Sequence, residues 1–236
     1  MKISIVVPCY NEENNIKNII TVFQNLNFEI AELELILVQN GSKDNTAGML
    51  RKYSEGLEFI KIVDVPINLG YGYGIKQGLK VATGDYVGWL HADLQVEPKE
   101  IMPFVEKVQN CSLNEKVFCK GIRSNRNFTD HFFTFSMSVF ESILFGSVLF
   151  DIGAIPVLFS RSFLPILEVA PNDFSIELFS YLMAKKKGYQ IVREKIHMED
   201  RKNGESSWNH GVKSKFLQSY KIMKASLQIR FKKKGD

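Results

Sequence analysis

Residues 3–26, ISIVVPCYNEENNIKNIITVFQNL, change period halfway along. Ile3 to Val7 is a short β-branched apolar run of the kind a buried parallel strand carries. Pro8 closes it. Asn11 stands where a helix cap would, with Glu12 and Glu13 placed for the first turn. Ile16, Ile19, Ile20, Phe23 and Leu26 then recur at the spacing of one buried helical stripe. The same exchange of periods repeats outward. Leu33–Val38 reads as a strand, followed by a turn at Asn40–Ser42 and a helix opening near Asp44. Phe59–Val63 is a third strand, and the glycine-rich stretch 70–78 opens another helix. Tyr86–Leu90 is a fourth strand, Pro98 starts the next helix, and Lys116–Lys120 is a fifth strand. Strict alternation of this kind predicts an α/β fold, a mostly parallel sheet flanked by helices. Ligands of such sheets sit beyond the carboxyl ends of the strands. The polar groups there are Tyr10–Glu12, Gln39–Ser42 and His91–Gln95, where a nucleotide site belongs.

The composition agrees. At 236 residues, 45% apolar and 24% charged, the chain is neither disordered nor of low complexity. Three cysteines, Cys9, Cys111 and Cys119, form no even disulfide framework and point to a reducing cytosol. The N-terminal apolar run has no small-residue cleavage site and does not read as a signal peptide. Charge is unevenly spread: residues 212–236 carry +7 and the remainder −3, within a net +4. A basic tail on a near-neutral body suggests an anionic partner reached by the tail.

The second half changes character. Residues 132–150, FFTFSMSVFESILFGSVLF, are strongly apolar but interrupted by Glu141 and several serines, too broken for a spanning helix. A buried helix pair and a helix lying in a membrane interface both suit them. A strand at Ile155–Phe159, helices from Ser162 and Phe174, and a strand at Gln190–Ile196 follow. In 211–234, Val212, Phe216, Tyr220, Met223 and Leu227 form a stripe bordered by lysines. This reads either as a helix packed on the domain or as an anchor for anionic lipid. Nucleic acid is not expected, because no recognition motif accompanies the charge. The domains are therefore 1–211 and a basic amphipathic helix, 212–236.

The chemistry concentrates in HADLQ, residues 91–95, directly after a strand. In extended backbone His91, Asp93 and Gln95 alternate and face one way. Imidazole, carboxylate and amide oxygen together suit Mn²⁺ or Mg²⁺, with a substrate diphosphate completing the shell. His91 fits either a ligand or a partner behind the ligands. Gly70, Gly72 and Gly74 suit either a phosphate-cradling loop or a loop passing close to the nucleotide at a helix start. Lys76 reads as solvated, and His197 and His210 as ordinary loop residues.

SIVVPCYNEENNI, VQNGSKDNT and NLGYGYGIKQGLKVATGDYVGWLHADLQ, in this order, resemble the family 2 glycosyltransferases of GT-A fold. KGIRSNR, DIGAIPVLFSR, APNDFSIEL and DRKNGESSW extend the resemblance over residues 2–210, nearest to the polyprenyl- and dolichol-phosphate sugar synthases. It implies that Pro8, Tyr10, Glu12, Val38, Asn40 and Ala92 line the nucleotide. It also implies that Asp93, with His91 and Gln95, holds the metal. Arg123, with Arg126 as a weaker candidate, would approach the diphosphate or the acceptor. Arg201, with Gly204 and Ser206, would close over the donor, its guanidinium offsetting charge on the departing diphosphate. Four departures stand out. Gln39 and Asn40 replace two aspartates, and His91 replaces the first acid of the metal motif. Ser207 stands where the lipid-phosphate synthases carry lysine, and His131 and Phe132 stand near an expected arginine. Inverting transfer to a hydroxyl needs a carboxylate base. Asp173 and Glu177, four apart, share a helix face, and Asp173 is the first choice, although it also suits a helix cap. An acceptor phosphate would need no base.

The expected function is metal-dependent, inverting transfer of a hexosyl or related sugar from a UDP- or GDP-sugar. The acceptor would be a surface polysaccharide, glycolipid or lipid-linked sugar of the cell envelope. The work would be done in the cytosol or at the inner face of the plasma membrane. The alternatives are a polyprenyl-phosphate glycosyltransferase and a catalytically silent nucleotide-sugar-binding protein.

Overall fold

The structure, a computed structural model, describes residues 1–26, 31–112, 115–125, 128–199 and 212–231. Strands and helices alternate through the first half. They are β1 (Lys2–Cys9), α1 (Ile16–Gln24), β2 (Glu32–Asn40), α2 (Thr46–Ser54), β3 (Ile60–Val65), α3 (Tyr71–Val81) and β4 (Tyr86–Trp89). A 3₁₀ turn at Pro98–Ile101 runs into α4 (Met102–Gln109), followed by β5 (Val117–Arg123). The second half holds α5 (Phe128–Phe145), β6 (Val157–Ser160), the one-turn α6 (Leu164–Leu167), α7 (Ile176–Lys186), β7 (Gln190–Ile196) and α8 (Val212–Phe231).

All seven strands join one sheet in the order β3-β2-β1-β4-β6-β5-β7. Only β6 is antiparallel, to both β4 and β5. Because β6 reverses direction between them, β4 and β5 run the same way and end on one edge with β1 and β2. The apolar runs of β1 and β2 are buried nearly end to end, as a sheet covered on both faces requires. Gly78 seats α3 against that sheet: a Cβ there would come within 2.4 Å of Val6 Cγ1.

Two expectations are corrected. Helix α1 starts at Ile16, about one turn after Asn11, and Asn11 does not cap it. Asn11 takes a left-handed φ of 55° and its Oδ1 accepts the Lys43 N–H, so it braces the neighbouring loop. Residues 132–150 are not a helix pair: they lie largely in α5, whose helical neighbour is α8. In α8 the expected stripe is split. Met223 is half-buried while Tyr220 and Leu227 are exposed, and the side chains of Val212 and Phe216 lie outside the described set.

Candidate active site

Two loops at the carboxyl edge are stitched together by side chains. Asn11 N–H donates to Ser42 Oγ (3.1 Å), Glu12 N–H to Thr46 Oγ1 (2.8 Å), and Glu13 N–H to Asp44 Oδ2 (3.1 Å). Asn45 N–H returns a bond to Glu13 Oε2 (2.9 Å). Each loop satisfies backbone donors of the other, which holds Tyr10 and Glu12 at the sheet edge. Tyr10 is exposed and Glu12 half-buried, and Pro8 pairs across the ladder with Val38. The Val38 side chain is fully buried, turned toward Gly78 of α3, so it belongs to the core under the edge. Ala92 is also buried. Gln39 is a turn brace: its Oε1 accepts the Ser42 N–H at 3.0 Å.

Asn40 is buried at the end of β2 and donates Nδ2–H to the Gly70 carbonyl (3.2 Å). Its Oδ1 is buried without a hydrogen-bond partner among the described residues. Gly74 makes room for this amide, since a Cβ there would lie 2.8 Å from Asn40 Nδ2. Gly70 and Gly72 instead abut the loop at 171–173. Their hypothetical Cβ atoms fall 2.3 Å from the Asn172 carbonyl oxygen and 2.4 Å from that of Pro171. The glycines thus serve close backbone approach at a helix start. Lys76 is not solvated: its Nζ donates to the Ala170 carbonyl at 2.7 Å, and burial lowers its pKa. Together with the Tyr73 N–H bond to Asn172 O (2.9 Å), it pins loop 170–173 onto α3.

Strand β4 stops at Trp89, and the residues after it turn. Leu94 has a φ of 55°, so the extended run expected to align His91, Asp93 and Gln95 is broken. Asp93 is half-buried and its Oδ1 accepts the Gln95 N–H at 3.2 Å. Gln95 Nε2 reaches the Glu199 carbonyl at 3.5 Å, toward β7. His91 lies edge-on to Tyr71 (centroids 5.2 Å apart) and to Phe174 (6.1 Å), and these two rings stack at 4.3 Å. His91 Nε2 is buried without a hydrogen-bond partner among the described residues.

Beneath these rings lies a polar network absent from the expectations. Glu177 Oε1 accepts Trp89 Nε1–H (2.7 Å) and Tyr71 O–H (3.2 Å), and Oε2 accepts Lys120 Nζ–H at 2.8 Å. Lys120 is fully buried and also donates to the Ala154 carbonyl (2.7 Å). Burial drives the Lys120 pKa down, against the attraction of Glu177. Burial and the adjacent Glu177 carboxylate push the Tyr71 phenol well above its ordinary range. Glu177 is therefore a buried, ion-paired anchor and not a base open to an acceptor. Asp173 is exposed and its Oδ1 accepts the Ser175 N–H (2.8 Å), a cap-like contact beside the glycine loop.

Arg123 ends β5 on this edge, but its Nε–H donates to Asp151 Oδ1 (2.8 Å) and its backbone N–H to Asp151 Oδ2 (2.7 Å). Its Nη2 bonds the same carboxylate. Asp151 is buried at a φ of 48°, so Arg123 is turned inward as a clamp on that loop. Arg126, Arg201, Gly204, Ser206, Ser207 and His210 lie outside the described residues. His197 donates its backbone N–H to Glu100.

Among the described residues no three of His, Cys, Asp and Glu converge on one point. The donor set still fits a hard divalent cation that takes most of its shell from a diphosphate and water. Asp93 would offer a carboxylate, and His91 a ring nitrogen, Nε2, that has no hydrogen-bond partner among the described residues.

Residues 4–113 match the family model described as Glycosyl transferase family 2. Poly-beta-1,6-N-acetyl-D-glucosamine synthase of Staphylococcus epidermidis is 34% identical over 95 residues. That match spans 40% of this chain and only 22% of the relative. Glucosyl-3-phosphoglycerate synthase from Mycobacterium tuberculosis, solved with Mn²⁺, UDP and glucosyl-3-phosphoglycerate, superposes at a TM-score of 0.70 and 18% identity. The superposition covers 97% of this chain and 79% of that one. The same enzyme with Mn²⁺, UDP-glucose and phosphoglyceric acid gives 0.71 at 19% identity, over 97% and 79% of the two chains. These likenesses establish a GT-A fold.

Proposed function

We propose that this chain, whose residues 4–113 belong to glycosyl transferase family 2, transfers a sugar from a nucleotide-sugar donor with inversion. The observation that carries the reading is a pair of orphaned atoms at one sheet edge, Asn40 Oδ1 and His91 Nε2. A buried polar atom without a partner costs about 1–3 kcal/mol, so a ligand that pairs both recovers that cost. The superposed enzymes bind UDP with Mn²⁺ or Mg²⁺, which supports a UDP-sugar as donor.

In this reading Tyr10 stacks on the base and Glu12 bonds base or ribose, while Asn40 Oδ1 accepts from the base without adding charge. Asp93 holds the cation, with His91 as second donor and Gln95 bracing the turn. When bound, Mn²⁺ or Mg²⁺ offsets the negative charge that builds on the diphosphate. Asp173 takes the proton from the acceptor hydroxyl. Arg201 supplies the guanidinium toward the leaving group, a role Arg123 is too committed to Asp151 to fill. The acceptor belongs to a surface polysaccharide, glycolipid or lipid-linked sugar, a placement supported by the likeness to a poly-N-acetylglucosamine synthase. The enzyme works in the cytosol, with 212–236 touching the inner face of the plasma membrane. A polyprenyl-phosphate acceptor is the second reading, favoured by the apolar groove between α5 and α8.

Hydrolysis of UDP- and GDP-sugars, with and without Mn²⁺, tests the proposal in the wild type and Asp93→Ala. Mn²⁺-dependent turnover that the substitution abolishes is expected. Absence of turnover with every donor, alongside intact nucleotide binding, would favour a silent binding protein.

A further inference from the structure

Helix α5 carries apolar side chains on a face left exposed among the described residues. Phe132, Phe135, Val139 and Ile143 are 58%, 54%, 42% and 77% exposed. They recur at i, i+3, i+7 and i+11, which on a helix makes one stripe about 17 Å long. The opposite side holds buried Ser138, Glu141 and Phe145, so the stripe is not the core-facing side misplaced. A groove of about 380 Å³ between Phe132 and Met137 of α5 and Tyr220 and Met223 of α8 joins the two helices' exposed sides. On α8, Tyr220, Leu227 and Phe231 are exposed in one stripe, with exposed Lys224 among them.

Positive charge borders the apolar strip at the C-terminal end of α5 and along α8. Past α5, exposed Val148 receives Lys185 Nζ on its carbonyl, and Lys186 Nζ lies 5.9 Å from the Phe145 ring. Lys187 follows, exposed. Alongside the strip, α8 adds exposed Lys224 and Arg230. The only acids between 128 and 150 are Asp130 and Glu141, and Glu141 is buried away from the strip. A second copy of this chain would bring like charge against like charge, which opposes association. An anionic bilayer meets both features, since apolar side chains enter the interface while lysines pair with headgroups.

We infer that the joint α5–α8 face is a docking surface for anionic membrane, with the α5 stripe as its apolar blade. This deepens the membrane contact proposed for 212–236 and rests on it. The test is co-sedimentation with phosphatidylcholine vesicles with and without phosphatidylglycerol. It uses the full chain, the doubles Phe135→Asp/Ile143→Asp and Phe135→Ser/Ile143→Ser, and a truncation lacking 212–236, with circular dichroism to verify folding. Binding should require phosphatidylglycerol and weaken about tenfold or more in both doubles. If the truncation loses binding and both folded doubles keep it, the α5 surface falls while the tail contact stands. If neither change matters, both fall. Self-association that the doubles abolish, without vesicle binding, would make the face an interface between copies and overturn the inference.

Discussion

Glu177 is the residue whose alteration should be felt furthest. Its carboxylate is the shared acceptor of Lys120, Trp89 and Tyr71, at 2.8, 2.7 and 3.2 Å. In Glu177→Gln the amide oxygen can still accept from Trp89 and Tyr71. The amide nitrogen, however, faces the Lys120 ammonium donor to donor. Lys120, fully buried, keeps only the Ala154 carbonyl. Removing one member of a buried pair costs about 3–5 kcal/mol, a large part of the stability of a domain this size. Lys120→Met leaves the carboxylate two neutral donors and should cost less. The double variant Lys120→Met/Glu177→Gln should recover most of the loss, because no buried charge remains. Urea unfolding of the four proteins gives the coupling directly. A cost below about 1 kcal/mol for Glu177→Gln, or simple additivity of the two substitutions, would refute the network as an anchor of the β4 tip.

Two further predictions concern pH. Glu34 is buried at the opposite sheet edge, and burial alone would raise its pKa. Bonds from Lys61, Ser4 and Thr83 overcome this and lower it to about 2. That stabilisation, about 3 kcal/mol from the size of the shift, is present above the ordinary carboxylate pKa. It should be lost as pH falls through 2, and Glu34→Gln should flatten the acid limb of a thermal-melt series; an unchanged limb would contradict it. Glu141 is the opposite case. Burial raises it to about 7, partly opposed by Ser226. Ser226 has one hydroxyl hydrogen for two acceptors, Glu141 and the Ile222 carbonyl, and a protonated Glu141 resolves the conflict by donating. Its stabilising contribution is full below the ordinary carboxylate pKa and gone as pH rises through 7. Glu141→Gln should therefore raise the Tm at pH 8 more than at pH 5, as measured by calorimetry.

The first half of the fold was legible because each element there follows a single period. The apolar runs of β1 and β2 are buried on both faces, and the α1 stripe of Ile16, Ile19, Ile20 and Phe23 is buried as its spacing requires. Asn11 misled because a cap and a left-handed brace use the same side chain, and the choice is made by Lys43, 32 positions away. The alignment of His91 with Asp93 and Gln95 failed for a local reason, the left-handed φ of Leu94. The Lys120–Glu177 pair was hidden because its members lie 57 residues apart, one inside an apolar strand and one four residues beyond a better-looking acid. The clamp of Arg123 on Asp151 escaped for the same reason: the carboxylate that claims a guanidinium is set by tertiary packing.

The claim on which the site depends is that Asp93 grips a diphosphate through a divalent cation. Calorimetric titration of UDP into the wild type and Asp93→Asn, each with Mn²⁺ and with EDTA, measures it. EDTA should weaken wild-type binding at least about tenfold, one ion-mediated contact's worth. Asp93→Asn should bind equally weakly in both conditions. Equal affinity of the two proteins in Mn²⁺, or indifference of the wild type to EDTA, would contradict it.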